Sequence, residues 1–215
     1  DSSWNINLSC CGFQLLNIEL SVAPSGYRKM SISANGRFMY FAFGSNLLKE
    51  RLQMANPSAT FHTTGRLKDH ELSFGLCETI QNNIWHGGVA TIVPCPGADV
   101  WGVIWTLSSE DLPRLDKQEG VSVGIYSPLE VSVETDKGLI FCRTYEMNNF
   151  HRQLAFSCAN ATSTSCHESN FPLYVVCLGA ERNGLPVEYL KKLEAIQTNN
   201  YSGPSVLDNI RIDMN

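Results

Sequence analysis

Phe38-Met39-Tyr40-Phe41-Ala42-Phe43 is a short, wholly apolar run closed by Gly44-Ser45-Asn46. A run of this length ending in turn residues reads as a buried strand entering a turn. That constrains the fold, because such a strand needs other elements packed around it. Leu47 to Met54 is the candidate helix that follows.

The rest of the chain supplies short strands. Glu71 to Leu76, Val89 to Val93 and Val100 to Leu107 are candidates. Leu129, Val131 and Val133 alternate with Glu130, Ser132 and Glu134, the pattern of a half-buried strand. Asp136-Lys137-Gly138 then supplies a turn, and Leu139 to Tyr145 returns as the hairpin partner. Tyr174 to Leu178 reads as one more strand. Two helices stand out. One starts between Ser108 and Leu112, since Pro113 fits only a first turn. The other is Pro186 to Gln197, with Leu190, Leu193 and Ile196 on one side and Glu188 four residues before Lys192. Many strands with few helices predict an α+β domain with a closed or nearly closed sheet.

The chain of 215 residues is 43% hydrophobic, enough for one core. Its net charge is -5, and its sixteen Lys and Arg residues are scattered, which argues against nucleic acid. No segment reaches the ~18 uninterrupted apolar residues of a membrane span. The N-terminal stretch lacks early Lys or Arg and does not fit a secretory signal. None of the eight cysteines forms a C-x-x-C pair, so they read as reduced thiols of a cytoplasmic protein. Residues 1–37 have no period and read as a tail. Phe150 to Asn170, rich in Ser, Thr, Asn and Cys, reads as an insert that does not join the core.

Three places can carry chemistry. The Gly44-Ser45-Asn46 turn can present backbone N–H groups to an anion, or be an ordinary turn. Glu119 lies at i+7 from Leu112 and i+4 from Leu115, so a continuing helix sets a carboxylate on an apolar face, where desolvation raises its pKa. Equally, Glu119 can simply end a helix before the C′ glycine Gly120. Asp116 and Lys117 fall on other faces and read as solvated. His86, beside Gly87 and Gly88, has no second ligand at metal-like spacing and reads as a loop residue.

Taken together these motifs resemble the gamma-glutamylcyclotransferase family. The resemblance spans about Phe38 to Gly203. It rests on Tyr40 through Leu48, Asn56-Pro57-Ser58-Ala59, Trp85 through Ile92, Val100-Trp101-Gly102-Val103, Leu115 through Val121, Gly179-Ala180 and Asn183-Gly184-Leu185-Pro186, in order and near the family spacing. It implies a small mixed β-barrel flanked by helices over residues 38–203. Residues 1–37 and 204–215 are then tails, and about 150–171 an unmatched insert. The implied activity is intramolecular cyclisation of gamma-glutamyl amino acids to 5-oxoproline and a free amino acid, a lyase reaction of glutathione metabolism with no metal or cofactor. The implied proton acceptor is Glu119. Tyr40, Phe41, Ala42, Phe43, Gly44 and Ser45 are the implied substrate-binding turn, with Tyr174 added near the pocket rim. The partner is a small-molecule substrate, without nucleic acid or membrane, and the assembly a homodimer.

Three departures accompany the resemblance. Phe43 replaces a Tyr usual in the family. Pro172 occupies the aligned position of a substrate-contacting Tyr, with Phe171 and Tyr174 nearby. Residues 1–29 and the insert match nothing, and Met30 offers an alternative start. Two rival readings are a cyclotransferase for gamma-glutamylamines or glutathione, and a non-catalytic binding protein of the same fold.

Overall fold

The computed structural model describes residues 32–77, 88–151 and 171–196. Six strands run in chain order: β1 Arg37–Ala42, β2 Thr60–Cys77, β3 Val89–Ser108, β4 Tyr126–Thr135, β5 Gly138–Met147 and β6 Phe150–His151. Four α-helices accompany them: α1 Lys49–Gln53, α2 Leu112–Gln118, α3 Phe171–Arg182 and α4 Val187–Glu194. The sheet order is β3-β1-β5-β4-β2-β6, and β2 pairs again with β3. That last pairing closes β1 to β5 into a five-stranded mixed barrel, as expected for the fold class.

β1 lies in the barrel wall between β3 and β5. It pairs antiparallel with β3, Tyr40 opposite Trp105, and parallel with β5, Tyr40 opposite Arg143. Its side chains alternate between two cores, as the strand period requires. Phe38, Tyr40 and Ala42 join Leu47, Trp105, Leu115, Tyr145, Val176 and Leu193 in a core beneath the helices. Phe41 packs with Leu67, Ile92, Ile104, Val133 and Cys142, all strand residues, in a second core. Both faces are therefore apolar, which is why β1 lacks the polar alternation that β4 shows.

The β4–β5 hairpin forms as expected, with Val131 opposite Cys142 and Thr135 opposite Gly138. Val89–Val93 and Val100–Leu107 are two parts of one strand. Pro94 to Asp99 bulges out of β3, Lys68 pairing with Asp99 and His70 with Pro94, and Gly97 N donates to Asp69 Oδ1 at 2.9 Å. The prolines interrupt the apolar pattern without ending the ladder. The helix expected from Leu47 to Met54 is a 3-10 turn, Ser45–Leu47, followed by the short α1.

Tyr174–Leu178 is not a strand; it lies within α3. Leu173, Val175, Val176, Gly179 and Ala180 are buried, a helical spacing. A short apolar run rich in β-branched residues does not by itself separate a strand from a buried helix. Gly184, at φ 67°, ends α3: Gly184 N donates to Glu181 O and Leu185 N to Ala180 O. α4 forms where expected, but Glu188 pairs with Lys191 at 2.9 Å rather than with Lys192. At the insert, Phe150 and His151 join the sheet opposite Cys77 and Leu76, so this edge belongs to the fold. Two other expected bounds shift: Arg37, placed in the N-terminal tail, opens β1, and Phe171, placed in the insert, opens α3. Residues 1–31 with Met30, the rest of the insert, His86 and the C-terminal tail lie outside the described residues.

Candidate active site

α2 brings the carboxylate to β1. Pro113 sits in its first turn and Leu115 is fully buried against Tyr40 and Trp105. Glu119 is the C-cap, and Gly120 follows in the left-handed region at φ 66°. A Cβ on Gly120 would come within 2.4 Å of Ile125 Cδ1. Both readings of Glu119 therefore hold together: the residue ends the helix, and the same helix end carries its carboxylate inward.

Asn46 Nδ2 donates to Glu119 Oε1 at 2.9 Å and to Tyr40 Oη at 3.0 Å. Tyr40 Oη lies 3.5 Å from the same carboxylate oxygen. Asn46 is held on its other sides. Its carbonyl oxygen accepts from Trp105 Nε1 at 3.1 Å, and its Oδ1 from Gln118 Nε2 at 2.7 Å. Arg51, on α1, contributes a positive charge to Glu119 and Tyr40, and burial lowers its own pKa.

Burial pushes the Glu119 carboxyl up to about 7, overcoming Arg51 and the hydrogen bonds from Tyr40 and Asn46, while Asp116 adds to the rise. As a residue Glu119 is only half-buried, but its carboxylate is densely enclosed. The enclosure governs, because the charge resides there. Burial likewise raises the Tyr40 phenol well above its ordinary value, so it remains a neutral donor. A carboxyl poised near neutrality can take and return a proton at physiological pH.

Asp116 departs from expectation. It is not merely solvated: Arg143 Nη2 lies 2.7 Å from its Oδ1, which also accepts from Tyr145 Oη. The Tyr145 ring meets Tyr40 edge-on, with centroids 6.0 Å apart. Asp116 therefore ties α2 to β5 behind the site. Lys117 is exposed, as expected.

Tyr40, Phe41, Ala42 and Phe43 are buried, and Gly44 and Ser45 are half-buried at the turn. Only Tyr40 of these six touches Glu119 through its side chain. Phe41 and Phe43 point into the second core, their ring centroids 6.5 Å apart. Tyr174 is half-buried on α3, between buried Leu173 and Val175. Asn46 and Gln118 entered the sequence reading only as members of the turn and of the Leu115–Val121 motif, and Arg51 only within the candidate helix Leu47 to Met54; none was assigned a side-chain role at the site. Asn46 and Gln118 sit next to Ser45 and Glu119, and a polar side chain adjoining a buried motif is the signal that could have found them.

Around Glu119 the site is donor-rich: two hydroxyl or amide donors and a guanidinium. Among the described residues no three His, Cys, Asp or Glu side chains gather as a metal-holding group. No described helix is long and apolar enough to cross a membrane.

Residues 99–193 match the AIG2-like family. The chain is 46% identical over 167 residues to a Bos taurus gamma-glutamylcyclotransferase, covering 77% of this chain and 82% of the relative. Against the Homo sapiens gamma-glutamylcyclotransferase it is 42% identical over 183 residues, covering 85% and 90%. A solved gamma-glutamyl cyclotransferase structure matches with a TM-score of 0.69 at 42% identity, over 80% of this chain and 95% of that one.

Proposed function

The chain belongs to the gamma-glutamylcyclotransferase family, and from that membership we propose a catalytic assignment in which Glu119 carries the proton. The enzyme converts a gamma-glutamyl amino acid to 5-oxoproline and a free amino acid. One observation carries the assignment: a carboxyl raised to about 7, anchored by Asn46 and Tyr40 at the end of β1.

The substrate's α-amine attacks its own γ-carbonyl carbon, forming the ring C–N bond. Glu119 takes the proton that the amine loses. It returns that proton to the leaving nitrogen as the original amide C–N bond breaks. One carboxyl serves both transfers because the two nitrogens share the same carbon. Holding the chain curled supplies much of the remaining acceleration, since the reaction is intramolecular. Backbone N–H groups of Gly44 and Ser45 are assigned to the substrate carboxylate or to the developing oxyanion. Tyr40 to Phe43 wall the turn, and Tyr174 is assigned to the rim.

Glu119→Gln tests this. Gln is nearly isosteric and keeps an acceptor, but cannot take a proton. 5-Oxoproline release from gamma-glutamyl-alanine should fall at least ~10²-fold, while calorimetric binding of a slow analogue weakens far less. Near-normal turnover would remove Glu119 from the mechanism.

The finer features follow from family resemblance. We assign lyase chemistry in glutathione metabolism, a domain over 38–203, a homodimer and the cytoplasm. Light scattering of the purified chain tests the dimer.

A further inference from the structure

Asn46, the amide that touches Glu119, is the last of three linked amides. Each has a donor end and an acceptor end, so the chain has a direction. It starts at Leu52 O, which can only accept. Asn56 Nδ2 gives one hydrogen to Leu52 O at 3.2 Å and the other to Gln118 Oε1 at 2.9 Å. Gln118 thereby turns Nε2 to Asn46 Oδ1, at 2.7 Å. Asn46 in turn directs Nδ2 to Tyr40 Oη and Glu119 Oε1. Running the chain backwards would set Asn56 Oδ1 against Leu52 O and Asn46 Oδ1 against the carboxylate. Asn56 has no exposed surface, and its Oδ1 is buried without a hydrogen-bond partner among the described residues. An orphaned buried acceptor is unfavourable, and here it accompanies the direction in which both Asn56 hydrogens are used.

We propose that the Asn56–Gln118–Asn46 chain, anchored on the Leu52 carbonyl, is a positioning relay that fixes the donor end of Asn46 on Oε1 of Glu119 and assigns Oε2 to proton exchange with the substrate. The proposal rests on the reading of Glu119 as proton acceptor. Asn56 and Gln118 are positioning residues that act through Asn46. The other groups facing the carboxyl are Tyr40 from β1, Arg51 from α1 and Asp116 from its own helix, with Tyr145 of β5 behind Tyr40. Asn46 is the one neutral amide among them, so its orientation decides whether the carboxyl meets a donor or an acceptor. A donor favours the ionised form, and an acceptor the protonated form.

Asn56→Asp keeps the size and replaces the donor with an acceptor. Gln118 Nε2 should turn toward it, and Asn46 should present Oδ1 to Glu119. The acid limb of the kcat/KM profile should then move up by about one pH unit, lowering kcat/KM at pH 7 about fivefold, with recovery at higher pH. A variant that loses stability but keeps the limb in place would reduce these residues to packing and overturn the proposal. Neutron diffraction from crystals of the unaltered protein needs no variant. Deuterons on the Asn46 nitrogen facing Glu119 are the expected result, and Oδ1 facing it would overturn the relay. Those nuclear positions stand or fall separately from Glu119→Gln turnover, so failure of the relay and failure of the catalytic assignment remain distinguishable.

Discussion

At the residue scale, the raised pKa on which the proposed role of Glu119 rests also works against stability. Its folded pKa is raised from 4.5 to about 7 by burial, so the folded state holds this proton more tightly than the unfolded state does. The associated stability is fully present below about 4.5 and is lost as pH rises through about 7. The full shift corresponds to about 3 kcal/mol, and partial exposure of the residue makes that an upper figure. Glu119→Gln carries no such loss. Its stability relative to the unaltered protein should therefore increase between pH 5 and pH 8, by about 1–3 kcal/mol in urea denaturation. A difference that stays constant across that range would contradict the raised pKa. Phe43→Tyr belongs to the same scale. Phe43 is buried just after β1 beside Phe41, and the change installs the Tyr that the family resemblance implies on the same ring. Activity should be kept or raised, chiefly through a lower KM. A severe drop in kcat would show a pocket rebuilt around Phe43.

At the element scale, α3 decides where the turn after β1 sits. Gly179 lets α3 approach the 3-10 turn so closely that an added Cβ would lie 2.6 Å from Leu48 N and 2.7 Å from Leu47 C. Asn183 Nδ2 fastens the same contact by donating to Leu47 O at 2.8 Å. Gly179→Ala should cost about 1–3 kcal/mol, the usual range for overpacking a tight contact. Because backbone atoms are what the methyl meets, the turn itself has to shift. Asn46 shifts with it, so kcat should fall as well as the denaturation midpoint. Loss of stability with unchanged kcat would mean that α3 does not hold the site. The sequence reading took the middle of α3 for a strand, since Val175 and Val176 favour strands locally. Contact with Leu47 and Leu48 overrides that preference. In β1, β4, β5 and α2 local pattern and tertiary context agree, and those elements were legible.

At the scale of the whole molecule, the barrel gathers donors around one carboxylate rather than carboxylates around a cation. Dialysis against EDTA should accordingly leave 5-oxoproline release unchanged; a loss restored by a divalent metal would refute this reading of the site. The turn, the Leu112–Leu115–Glu119 spacing and Gly120 at the helix end were all present in the sequence, because each depends on residues a few positions apart. So was an α+β domain with a closed or nearly closed sheet, while the barrel itself was implied by the family resemblance. Only the tertiary structure set Asn46 against Glu119, since the two are 73 positions apart in the chain. It likewise brought Gln118 to Asn46 and Asn56 to Gln118 across 72 and 62 positions. It also turned Asp116 from an expected surface charge into a tether to Arg143 and Tyr145. Spacing determines which face a side chain occupies, whereas a pKa depends on everything packed against that face; barrel closure, with helices laid over it, supplied that packing.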